Sequence, residues 1–210
     1  MGFGSGDFIK TYIRHNWLIY TMVLIFFIVG VSFGALGVRD MNAEQAKTLG
    51  DGLEVFLSKV DKASINNWSM ALDIIGKNLT IILGIYVLGL TIVGVPGIMI
   101  IIFSRGFRIG FTVGFLVRAK AARGVLLSLM SVIPHNLVYI PVFIVGAAVS
   151  VAFSLSLIRG RFGYRGISLP GNFIRYSAVM AVLVLLLVCG GLIESYLTPT
   201  LVKMATAYIK

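Results

Sequence analysis

The sequence predicts an all-α, polytopic membrane protein with about five transmembrane helices. Three observations carry that prediction. Of 210 residues, 58% are hydrophobic and only 12% are charged, against about 45–50% and about 25% in soluble domains. Mean hydropathy is +0.98. The apolar residues fall in runs long enough to cross about 30 Å of hydrocarbon, with most charges gathered between them. A soluble fold would leave much of that surface facing water. Intrinsic disorder needs more charge and polarity than this. Residues 1–210 therefore read as one membrane domain, in contact chiefly with the lipid bilayer.

The first span is read as 17–38, uncharged and about 33 Å long as a helix. Trp17 and Tyr20 at its start suit an interfacial aromatic belt. The run exceeds a signal-peptide core, and Gly34-Ala35-Leu36-Gly37 only loosely mimics a cleavage site, so removal is not expected. Segment 39–77 changes composition and holds most of the acidic residues. Within it Leu49, Leu53, Phe56, Leu57 and Val60 recur at steps of three and four, which predicts an amphipathic helix over about 44–62.

A second span is read at 79–103, kinked or broken by Gly94-Val95-Pro96-Gly97. A third is read at 107–133 and expected to be broken. Either it is a helix carrying Arg118, Lys120 and Arg123 at membrane depth, or two half-helices dip in from opposite faces. Pro134-His135-Asn136 then separates it from a fourth span at 137–158. The last span is read at 176–197, ended by Thr198-Pro199.

Lysine and arginine mark the cytoplasmic side of membrane proteins. The amino-terminal arm, 104–124 and 159–175 are all basic and are read as cytoplasmic. Loop 39–77 is weakly acidic and is read as extracytoplasmic, with the carboxy-terminus on that same side. The formal charge of +10 is thereby assigned to topology, and no nucleic-acid partner is expected.

Catalytic patterns are missing. There are two histidines, His15 and His135, and one cysteine, Cys189, so no disulfide or cysteine metal cage is possible. No phosphate loop or zinc motif is present. No catalytic residue, metal or cofactor is expected. Glu194 is the single acid of a predicted span, close enough to its end to reach the interface, and is read as structural. Gly106, Gly110 and Gly114 form a ridge on one helix face that admits another backbone closely. Intrachain packing and partner docking both fit it, and self-association stays open. Pro134 frees backbone carbonyls that His135 and Asn136 can satisfy inside a membrane.

The arrangement Asn78 … Ser104-Arg105-Gly106-Phe107-Arg108-Ile109-Gly110 … Pro134-His135-Asn136-Leu137-Val138-Tyr139-Ile140-Pro141 resembles the stage II sporulation protein M family. Gly106, Gly110, Pro134, His135 and Pro141 match that family's pattern. Asn136 and Tyr139 stand where its wider branch carries glycine and glutamate, which sets aside any role resting on that carboxylate. The resemblance implies a non-enzymatic scaffold in the engulfing or septal membrane of the mother cell. Its partners would be stage II sporulation proteins D and P, which cut peptidoglycan. Docking candidates on the extracytoplasmic side are Leu53 and Phe56. The alternative reading is a small transporter or flippase subunit, because broken helices with polar groups near mid-membrane are also what transporters show.

Overall fold

A bilayer core offers no hydrogen-bond partner to an open backbone, so each apolar run must satisfy itself as a helix. The computed structural model describes residue 14 and residues 16–62, 67–161 and 169–209. Its helices are α1 (Trp17–Gly37), α2 (Ala43–Lys62), α3 (Asn67–Gly89), α4 (Gly94–Arg161) and α5 (Leu169–Ile209). There is no strand among the described residues. Five stretches are long and apolar enough to cross a membrane: Trp17–Gly37, Trp68–Gly89, Gly94–Ala119, Val132–Arg159 and Pro170–Thr198.

Helix α4 contributes two of these spans and doubles back between them. In a straight helix Arg105 and Phe143 would lie about 57 Å apart. Here the Arg105 guanidinium carbon stands 4.0 Å from the Phe143 ring centroid. Likewise Ser154 Oγ donates to the Thr91 carbonyl at 2.7 Å, just before the helix begins. The chain therefore reverses between Ala119 and Val132. The two arms pack against each other, and the core runs from Ile98, Met99 and Ile102 on one arm to Val142, Phe143 and Ala147 on the other.

Glycine contacts give the directions. Gly106, Gly110 and Gly114 meet Phe27, Val31 and Ala35 in turn, so α1 and the first arm of α4 run parallel. Helix α3 and the second arm are parallel as well, since Gly146 meets Ile82 and Gly89 meets Ser150. Helix α5 opposes both: Tyr176 bonds Ser150, and Gly190 lies on Tyr139. The five spans alternate. One end of the bundle, the near end, holds Trp17 and the turn at Leu90–Val93. The far end holds Val38, Arg118 and the start of the second arm.

Several sequence expectations change. The second span is Trp68–Gly89 rather than 79–103. Its charges escaped recognition because Lys77 Nζ and Asp73 Oδ2 pair at 2.6 Å, one turn apart. Gly94-Val95-Pro96-Gly97 does not interrupt a span but opens α4, where a missing proline N–H costs nothing. The third span is Gly94–Ala119, not 107–133. Helix α4 continues through both Pro134 and Pro141, so Pro134-His135-Asn136 is the first turn of a span and not a break before one. Helix α5 runs past Thr198-Pro199 to Ile209.

The reading of 104–124 as lying on the amino-terminal face also falls. Arg118 Nη1 donates to the Val38 carbonyl and, at 3.4 Å, to that of Arg39. It therefore belongs to the far end of α1. That end also carries Arg39 and Lys47, so the basic residues no longer gather at one end as the charge census required.

Candidate functional site

Four spans bring polar side chains together between the middle of the bundle and its far end. Helix α3 supplies Asn78, 7% exposed, whose amide donates to the Ile74 carbonyl at 3.0 Å. The first arm of α4 supplies Arg105, which donates through Nη2 to Asn78 Oδ1. Its guanidinium also lies over the Phe143 ring, a cation–π contact that strengthens when desolvated. The second arm supplies His135, Asn136 and Tyr139. Helix α5 supplies Glu194.

His135 Nε2 is 3.9 Å from Glu194 Oε1, with the side chains 13% and 23% exposed. The Asn136 amide donates to the Val132 carbonyl at 2.7 Å and lies 3.1 Å from His135 Nε2. An amide nitrogen can only donate, so Nε2 accepts from it. Tyr139 is 3% exposed. Its ring meets His135 edge-on at 5.7 Å and Phe143 at 6.3 Å. Room for that ring comes from α5, where a Cβ at Gly190 would stand 2.6 Å from Tyr139 Cε1.

The cluster is incompletely satisfied. Arg105 Nε, His135 Nδ1 and the Tyr139 hydroxyl are buried without a hydrogen-bond partner. Buried polar atoms in folded proteins nearly always have one, and polar groups inside membranes mark functional sites by default. What the arrangement offers is one cation, one carboxylate, an imidazole and a phenol around a shared centre.

The sequence-predicted residues divide between two places. His135 and Asn136 enter this cluster, and Pro134 lies beside them at the start of the span. Gly106, Gly110 and Gly114 do not: they face α1. A Cβ at Gly110 or Gly106 would fall on the carbonyl oxygen of Val31 or Phe27, and reciprocally one at Gly30 or Gly34 on that of Phe103 or Phe107. The ridge is filled by the chain's own first span, so it is no open docking face. Leu53 and Phe56 lie on α2, but their side chains fall outside the described residues. Leu49 on the same helix is exposed and lines a cleft with Met41, Thr48 and Phe111.

Residues 23–199 match the family model of stage II sporulation protein M. The chain belongs to the stage II sporulation protein M family. The match reaches from within α1 to the last residues of the α5 span. No curated protein and no solved structure matches the chain. The stage II sporulation protein M family is a family of sporulation membrane proteins and not a known enzyme family. The residues that resembled it now have separate tasks. Gly106 and Gly110 hold α1, while Asn78, Arg105, His135 and Tyr139 build the polar centre.

Sequence reasoning missed Arg105 and Glu194 as members of that centre. It read the first as a boundary charge and the second as an interfacial one. The spacing of Asp73 and Lys77 was the available signal. Read as an i,i+4 pair, it extends the second span to Trp68, puts Asn78 at its middle and places Arg105 at the same depth.

Proposed function

We propose that this protein is a non-enzymatic membrane scaffold. It anchors peptidoglycan-degrading enzymes during engulfment, with stage II sporulation proteins D and P as the partners. Family membership supports the sporulation setting. The observation that carries the scaffold reading is α2, an amphipathic helix outside the five spans, with Leu49 exposed beside the Phe111 cleft. Among the described residues no group of three or more histidine, cysteine, aspartate or glutamate side chains is placed to hold a metal. In this reading the far end faces the wall. Leu53→Asp with Phe56→Asp should abolish recovery of the hydrolases with the protein while its level stays normal. Normal recovery would remove α2 as the docking element.

The orientation belongs to the same proposal and has its own check. On a Cys189→Ala background, cysteine at Ser58 should react with an impermeant thiol reagent on whole cells, and cysteine at Ser168 should not. The reverse pattern puts α2 in the cytoplasm and ends the wall-facing scaffold.

One observation favours a second reading, a small transporter or flippase subunit. The partly unsatisfied centre of Arg105, His135, Tyr139 and Glu194 sits where transporters place substrate or ion sites. Movement of a solute or lipid across sealed vesicles, lost in Glu194→Gln, would replace the scaffold reading with this one.

A further inference from the structure

Arg108 stands on the outside of the bundle, at the middle of the apolar span Gly94–Ala119. Three helices agree on its depth. It is about 21 Å along the helix from Gly94 and about 16 Å from Ala119, the ends of its span. The glycines on either side of it, Gly106 and Gly110, meet Phe27 and Val31 near the centre of α1. Its neighbour Arg105 bonds Asn78 at the centre of α3. Headgroups lie about 15 Å away in either direction, beyond the reach of an arginine side chain.

Yet Arg108 is exposed. Its one hydrogen bond runs from Nε to the Ser104 carbonyl at 3.4 Å. Among the described residues no carboxylate comes within 4.0 Å of it. Lys77 shows how the same chain solves this problem elsewhere: it is exposed on α3 and carries its own acid, Asp73, one turn away. Arg108 has hydroxyls one turn away on each side, Ser104 half-buried and Thr112 exposed. Together they make a polar ridge at i, i+4 spacing on the lipid-facing side of α4. Charged residues inside membranes almost always face protein or water and pair with one another, and serine and threonine bond across helix interfaces.

We propose that the Ser104–Arg108–Thr112 ridge docks a single transmembrane helix of a partner protein. That helix carries one carboxylate near the middle of its span. Charge complementarity selects the occupant. In an undeformed bilayer lipid phosphates lie about 15 Å from this depth, and thinning the bilayer to bring them closer costs energy that a paired carboxylate does not. Within the described spans a second copy offers only Asp73, which is paired with Lys77, and Glu194, which faces His135 inside the bundle. The proposal deepens the scaffold reading by stating how a partner is held, and rests on it only for the partner's identity.

The test uses the full chain in lipid vesicles, with an acceptor dye on exposed Cys189. The probes are donor-labelled polyleucine peptides of about 24 residues, with a central aspartate, leucine or lysine. The aspartate peptide should associate about tenfold more tightly than the other two, the factor of one good interhelical hydrogen bond. Arg108→Leu should erase that preference and Arg108→Lys should keep it. Equal association of the three peptides with the unaltered protein overturns the proposal. So does a preference that survives Arg108→Leu.

Self-association of the chain that Arg108→Leu abolishes would seat a second copy there instead. Labelling of Thr112→Cys, on a Cys189→Ala background, by a water-soluble maleimide would make the ridge the wall of an aqueous cleft. Either result overturns the proposal. Because the three peptides are compared on unaltered protein, misfolding of a variant cannot imitate the result. Loss of hydrolase recovery with an intact peptide preference would sink the partners' identity and leave the ridge.

Discussion

The bundle is joined by two seams at similar depth, and they are built from opposite materials. Between α1 and the first arm of α4 the chain uses glycine. Backbone touches backbone along Gly30, Gly34, Gly106 and Gly110, and no side chain stands between. Among α3, both arms of α4 and α5 it uses polar groups: Asn78, Arg105, His135, Tyr139 and Glu194. Helices in lipid gain little from hydrophobic burial, so close packing and interhelical hydrogen bonds must hold them. The glycine seam does this completely. The polar seam leaves three buried atoms unpaired, and an apolar replacement of such a network often leaves a protein as stable or more so. A seam built that way is explained by what it does rather than by how firmly it holds.

The hardest way to break this comparison is Gly110→Leu. Its Cβ would land on the Val31 carbonyl oxygen, and a backbone atom held in a helix cannot swing aside as a side chain would. Overpacking a tight interior costs about 1–3 kcal/mol and occasionally more. We expect about 3 kcal/mol here, seen as a lowered melting temperature in detergent and loss of monodisperse protein. An unchanged melting temperature would mean that α1 slides freely over α4, and the glycine seam would not be a seam.

The depth of these seams also shows what hydropathy can and cannot reveal. Five spans and the helix at 43–62 were legible because long apolar runs and a three-four apolar repeat leave one solution each. The borders were not. Pro96 and Pro134 read as interruptions because proline breaks a helix interior, yet Pro96 sits where a helix begins and α4 absorbs Pro134 beside the Asn136–Val132 side-chain bond. Asp73 and Lys77 read as loop charges because their pairing is invisible in composition. Of the polar centre, His135 and Asn136 were legible as odd residues in an apolar setting. Arg105 and Glu194 needed the corrected depth of α3 and the reversal of α4, neither of which leaves a local signature.

A middle-sized effect separates paired from unpaired charge within the spans. Asp73→Leu leaves Lys77 facing lipid without its acid, at a cost of about 2.5 kcal/mol on insertion scales. Replacing both residues by leucine should recover that loss, since no charge remains. Chemical unfolding of the two variants checks the ordering. A loss below about 0.5 kcal/mol in the single variant, ordinary for a solvated pair, would put this turn of α3 among the headgroups and move the span border back toward residue 79.

The finest discrimination lies between two tyrosines that are both 3% exposed. Tyr176 is fully used. Its hydroxyl donates to the Tyr86 carbonyl at 2.8 Å and, since its own proton is spent there, accepts from Ser150 Oγ at 2.9 Å. Its ring stacks on Phe153 at 4.5 Å and on Tyr86 at 5.0 Å. Tyr139 keeps the same burial with a hydroxyl that has no partner. Removing one oxygen therefore tests opposite situations on the same scaffold. Tyr176→Phe strands the Ser150 hydroxyl and leaves the Tyr86 carbonyl only the Leu90 N–H, and should cost about 1 kcal/mol. Tyr139→Phe removes a buried hydroxyl that lies near Glu194 and Asn78 without a well-formed hydrogen bond to either, so it should leave stability unchanged or raise it by up to about 1 kcal/mol. Paired melting curves of the two variants decide between the readings. Equal losses would mean that the Tyr139 hydroxyl is satisfied by Asn78 or Glu194, and the polar seam would then be as complete as the glycine one. A gain in Tyr139→Phe together with impaired sporulation would show that the hydroxyl is kept for a task that stability does not require.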